Sequence, residues 1–197
     1  WLANLADLEL HTSLARAGKI RIMEAAKDGV ALYDADGREL ATPKPKSASQ
    51  ALSTAREYFE DYYPGAVVWL NTSRDLAVQK RPKEAAFLLH QATARFYAGL
   101  LLTLTYYTPY NHNIAFLRSL AEGLDRRLYG IWPESTHRER AMFQKLKEAY
   151  TKARYSRHYR ISEEELTWLG THVEELGRIV HQVCTDKIAE LEAATRR

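Results

Sequence analysis

At 197 residues the chain has room for one large domain, or for one domain and a fragment of another. Hydrophobic residues at 46% and charged ones at 27% are those of an ordinary globular protein with a sizeable core, and the net charge of +3 permits an anionic partner without requiring one. A single cysteine, Cys184, excludes an internal disulfide and fits a reducing, cytoplasmic setting; no signal peptide and no apolar run long enough to span a bilayer is present. The chain opens on Trp1 rather than Met, so it reads as part of something longer.

Residues 1–16 have a leucine side (Leu2, Leu5, Leu8, Leu10) and predict a short helix ended by Gly18; residues 20–27 predict a second, closed by Gly29. In residues 30–42 two short apolar runs flank Asp36-Gly37, the turn pair of a β-hairpin. The Pro-Lys-Pro-Lys-Ser run at 43–47 is a stiff linker and the expected domain boundary.

From there the pattern is helical. Ser47 with Gln50 forms a capping box for a helix reaching Tyr63, which Pro64-Gly65 kinks or restarts, and residues 66–79 continue with Val67, Leu70 and Leu76 inward. Arg81-Pro82 turns the chain into residues 84–107, the stretch the rest is organised around. It begins amphipathic and from Phe96 to Leu104 is apolar almost all round, the mark of a helix surrounded by other helices. After the turn-rich loop at 108–113, residues 114–129 carry Ile114, Leu117, Leu120, Leu124 and Leu128 at helical spacing. Thr136 with Glu139 caps a helix whose buried stripe is Met142, Phe143, Leu146, Ala149, Tyr150 and Ala153. Ser162 with Glu165 caps the last and longest helix, where Leu166, Leu169, Val173, Leu176, Val180 and Val183 form a seam. The fold expected is all-α, an up-and-down bundle of four or five helices over residues 47–197. A small α/β remnant with a β-hairpin would precede it in residues 1–46.

Three groups of residues invite a chemical reading. Asp34-Ala35-Asp36 has the spacing of a two-carboxylate Mg²⁺ site, but no phosphate-holding Gly-Ser loop precedes it, and the hairpin turn accounts for the same residues. His90, Gln91 and Arg95 interrupt the central helix. They either line a ligand pocket or dimer seam, or reach backbone carbonyls and water at the end of the bundle. The densest basic and aromatic cluster is residues 152–160. If that helix runs on, Tyr150, Arg154 and His158 stack at steps of four, with Lys147 two turns before Arg154. Arginine would neutralise a phosphate and tyrosine would offer a face to a base, although a helix C-terminus rich in cations explains the same pattern. The seven histidines do not pair with Cys or carboxylates at metal-ligand spacing, so neither a metal nor a cofactor is expected.

Taken in order, FLLHQATARFYAGLLLTLTYYTPYNHNIAFLRSLAEGLD and then AYTKARYSRHYRISEEELTWL resemble the HEPN domain, in particular the subgroup fused behind a nucleotidyltransferase domain in bacterial proteins. The resemblance covers residues 66–197. GKIRIMEAAKDGVALYDADGRELATPKP is similar to the end of the nucleotidyltransferase domain in such fusions, without its catalytic segment, which makes residues 1–46 the tail of that domain. The resemblance implies a bundle that dimerises and binds nucleotides or RNA, with the transferase domain in cis. Many members are metal-independent ribonucleases with Arg, four to six residues and His; no histidine here has Arg at that distance, and three residues separate Arg154 from His158. The reading carried forward is a homodimeric binding module for a nucleotide or other anionic ligand, with no catalytic residue of its own. Its ligand-binding residues would be Arg154, Tyr155, Ser156, His158, Tyr159, His90, Gln91 and Arg95, and Trp168 and Tyr107 would anchor the dimer. An RNase toxin held in check by nucleotidylation, and a ligand-free dimerisation scaffold, are the alternatives.

Overall fold

The computed structural model describes residues 46–196, and among them every regular element is helical. The hairpin expected at Asp36-Gly37, the two leading helices and the Asp34/Asp36 pair lie outside the described residues. Five α-helices follow one another: α1 (Ala48–Val78), α2 (Pro82–Thr105), α3 (Ile114–Leu124), α4 (His137–Tyr155) and α5 (Glu163–Thr195), with a 3₁₀ turn (Arg126–Leu128) after α3.

The helix starts follow local chemistry. Ser47, Thr136 and Ser162 each accept the backbone N–H three residues on, and Gln50, Glu139 and Glu165 reach back to the cap N–H. Each such box satisfies two otherwise orphaned donors and contributes about 1 kcal/mol. Pro82 sits in the first turn of α2, where its missing N–H costs nothing, and the Asn113 side chain accepts from Ala115 and Phe116 to start α3.

α1 continues through Pro64 rather than restarting. It pairs with α2 through the short turn at Lys80, which has a left-handed φ of 59°. The two helices approach so closely that a Cβ on Gly99 would lie 2.8 Å from Tyr62 Cβ. α2 is the centre, packed against α1, α5, α4 and α3 in turn. Its second half is sealed: Phe96, Tyr97, Leu100, Leu101 and Leu102 are buried, each large apolar side chain contributing about 1.5–3 kcal/mol. The polar groups there are matched, since Trp132 Nε1 donates to the Tyr97 hydroxyl at 2.9 Å and Thr103 donates to the Gly99 carbonyl at 2.8 Å. The α5 seam is buried at all six expected positions.

One expectation needs correction. The helix predicted over 114–129 stops at Leu124: Asp125 is extended and its carboxylate accepts from Arg127 N–H, which starts the 3₁₀ turn instead. Leu128 still reaches the core through that turn, while Leu124 is left 44% exposed. The apolar surface of α2 is largely covered by neighbouring helices of the same chain. Trp168 is half-buried, its ring stacked 3.7 Å from that of His172.

Candidate ligand-binding site

α4 ends at Tyr155. Ser156 turns extended, and its hydroxyl accepts the N–H of His158, so the run of steps of four stops before His158. Tyr150 and Arg154 do stack, the guanidinium lying 4.5 Å from the Tyr150 ring centre; it is also 5.0 Å from Phe87 and 4.9 Å from Tyr155. Phe87 comes from the first half of α2, and Lys83 of the same helix donates to the Ser156 carbonyl at 2.9 Å. The end of α4 therefore lies against the start of α2. Arg154 donates through Nε to the Tyr150 carbonyl at 2.7 Å, and no carboxylate among the described residues pairs with it.

His90 is buried one turn further along α2. Its Nδ1 lies 3.2 Å from the Leu146 carbonyl, and its Nε2 has no partner. Burial pushes the imidazole down to about 4, against the Leu146 and His112 carbonyls, which favour the charged ring; the charges of His112 and Arg154 lower it further. His90 and His112 flank Tyr150, at 5.1 and 5.0 Å between ring centres. His112 belongs to the loop between α2 and α3, which is held where Asn111 accepts from Asn113 N–H at 2.7 Å. Together His90, His112, Tyr150, Tyr110, Gln144 and Lys147 line an open cleft of about 570 Å³.

Gln91 and Arg95 face the other side of the same loop. Arg95 lies between the rings of Tyr62 and Trp69, at 5.0 and 5.1 Å, and donates to the carbonyls of Asp61 and Tyr62 at 2.6 and 3.1 Å. Those carbonyls sit in the turn of α1 that holds Pro64, whose missing N–H leaves one helix hydrogen bond unmade there. Arg95 thus ties α2 to that turn. Gln91 joins it in lining a second, smaller hollow of about 220 Å³ with Trp69, Thr108 and Tyr110.

The expected set is therefore divided. Arg154, Tyr155 and His90 gather around Tyr150, with Ser156 and the exposed His158 just past the helix end, whereas Gln91 and Arg95 stand across the loop. Tyr159 is in the core: its hydroxyl donates to the Lys145 carbonyl at 3.2 Å, and burial, with the Glu165 and Glu148 charges, raises it above the usual phenol range. Its ring has no free face for stacking. Phe87 and His112 escape sequence reasoning. Phe87 was available as the residue one turn before His90, but nothing local to His112 says that its loop folds back onto α4.

Among the described residues no three His, Cys, Asp or Glu side chains come together to hold a metal ion, and no helix is long and apolar enough to cross a membrane. The family model of the HEPN domain matches residues 59–183, a span running from within α1 to the end of the α5 seam at Val183. No curated protein matches the chain.

Proposed function

The chain belongs to the HEPN family, and from that premise we propose that its bundle is a binding module for a nucleotide, held at the cleft between α2, α4 and the α2–α3 loop. The observation that carries this reading is charge left over beside aromatic surface. Neighbouring cations are paired, Lys145 with Glu165 at 2.6 Å, Lys152 with Glu148 at 2.9 Å and Arg138 with Glu164 at 2.5 Å. Lys83, Lys147, Arg154, Arg157 and Arg160 have no carboxylate partner among the described residues. Arg154 lies over Phe87, Tyr150 and Tyr155, Lys147 lines the cleft with Tyr150 and His112, Lys83 reaches the Ser156 carbonyl, and Arg157 and Arg160 follow the end of α4 in the chain. Unpaired guanidinium and ammonium groups suit phosphate, and aromatic faces suit a base.

The proposal includes an accessory role beside a nucleotidyltransferase domain in cis, and homodimerisation. For the latter the candidate surface is the exposed Phe116 and Leu124 of α3 with Tyr129, rather than Trp168. It does not include RNA cleavage. A ribonuclease needs a base and a cation positioned about one phosphate, and three residues rather than four to six lie between Arg154 and the exposed His158.

Thermal melts with a panel of ribonucleotides, run beside a metal-free RNA-cleavage assay, test the reading. Saturating nucleotide at about a hundred times its Kd should add roughly 2.7 kcal/mol of stability, with RNA left intact. Cleavage that disappears in His158→Ala would assign the chain to the ribonucleases instead. No shift with any nucleotide, together with intact RNA and a dimer in light scattering, would leave only the scaffold.

A further inference from the structure

His90 Nε2 is the one polar side-chain atom lining the cleft that is both buried and without a partner. The Leu146 carbonyl only accepts, and the tautomer that satisfies it puts the proton on Nδ1, 3.2 Å away, and leaves Nε2 with a lone pair. Several of the other polar groups nearby are engaged. Asn111 and Asn113 accept backbone N–H groups of the loop and of α3, Lys147 donates to Gln144, and Glu148 pairs with Lys152. A buried acceptor left empty is costly, and in a cleft it marks the place where a ligand donor belongs.

Resting on the nucleotide reading above, we propose that His90 Nε2 accepts a hydrogen bond from the exocyclic amino group of the bound base, which makes the site selective for amino-bearing bases. The cations and this acceptor are near enough for one small ligand: Arg154 lies 4.5 Å and the His90 ring 5.1 Å from the centre of Tyr150. Phosphate goes to the Arg154 and Lys147 side, where charge is unmatched, and the base goes to His90. A neutral imidazole is needed for the acceptor role, and burial keeps this one neutral at pH 7. Access runs past His112, an exposed ring on the loop that is stacked on Tyr150 and held by no side-chain hydrogen bond among the described residues. The base takes the place that this ring vacates.

The test compares AMP with purine riboside 5′-monophosphate, which differs from it by the amino group alone. Calorimetry should show AMP binding about tenfold more tightly, the effect of one buried hydrogen bond made or left unmade. A long-range ¹H–¹⁵N spectrum should show His90 as the Nδ1–H form, with its Nε2 signal moving upfield on addition of AMP. His90→Asn keeps a donor near the Leu146 carbonyl and has no atom at the Nε2 position, so it should bind both nucleotides equally. Should that variant fail to fold, the wild-type comparison and the Nε2 shift decide alone. Equal affinity for the two nucleotides with an unmoved Nε2 signal overturns this assignment and leaves nucleotide binding standing. If neither nucleotide binds, the site reading falls and the assignment falls with it.

Discussion

Arg95 and Arg154 both lie over aromatic rings, yet their hydrogen-bond donors go to different ends. Arg95, on α2, is flanked by Tyr62 and Trp69 and gives two donors to the carbonyls of Asp61 and Tyr62. Arg154, on α4, touches Phe87, Tyr150 and Tyr155 and gives only Nε to a carbonyl. One guanidinium is part of the framework, fixed to the turn of α1 that holds Pro64. The other keeps the fork of its planar group for something else. The aromatic neighbours are alike in the two places, so it is the destination of the donors that separates an arginine committed to the framework from one whose fork is left over.

The largest expected effect breaks the first half of that comparison. Arg95→Ala should destabilise the protein by about 3 kcal/mol in urea denaturation. It removes two charge-assisted hydrogen bonds that tie α2 to α1, together with the packing of the guanidinium on Tyr62 and Trp69. Nucleotide affinity in the fraction that remains folded should be unchanged. A loss of affinity with unchanged stability would move Arg95 to the binding side.

Next comes His90, the polar group of α2 on the Arg154 side. Its folded pKa of about 4 lies below the ordinary 6.5 of an unfolded histidine. Protonation therefore favours the unfolded chain, and the contribution of His90 is fully present above pH 6.5 and lost as pH falls towards 4. Between pH 7 and 4.5 this should remove roughly 2–3 kcal/mol that a His90→Asn variant does not lose. Parallel pH curves for the two proteins would show that His90 is not buried neutral.

Arg154→Lys sharpens the second half. Lysine keeps the charge and most of the stem but has no planar fork, so nucleotide binding should weaken by about 1–3 kcal/mol while stability changes little. Melting with no effect on binding would make Arg154 a tether for the end of α4. The smallest effect concerns Gly65, where an added Cβ would lie 2.8 Å from Arg95 Nε. Gly65→Ala should cost about 1 kcal/mol with Arg95 in place. In an Arg95→Ala background it should become neutral or stabilising, because alanine favours the helix once the crowding is gone. Equal effects in both backgrounds would mean that Arg95 does not depend on close approach at Gly65.

Much of the framework was set by the sequence on its own. The three capping boxes, the Pro82 start of α2, the sealed half from Phe96 onward and the α5 seam all depend on residues within one or two turns of each other, and periodicity reports such local relations directly. Sequence also marked the end of α4 and the polar group on α2 as unusual. Tertiary structure decided what each of them does. That Arg95 meets the carbonyls beside Pro64, that Tyr159 turns into the core, and that His112 folds onto Tyr150 depend on which face of one helix meets which neighbour. Even a local stop, Ser156 ending α4 before His158, was hidden because the basic residues around it tolerate helix and coil alike. Helical periodicity fixes the angle of a side chain around its own axis. The partner waiting at that angle is set by how the helices cross and how their loops return, and those depend on contacts far apart in the chain.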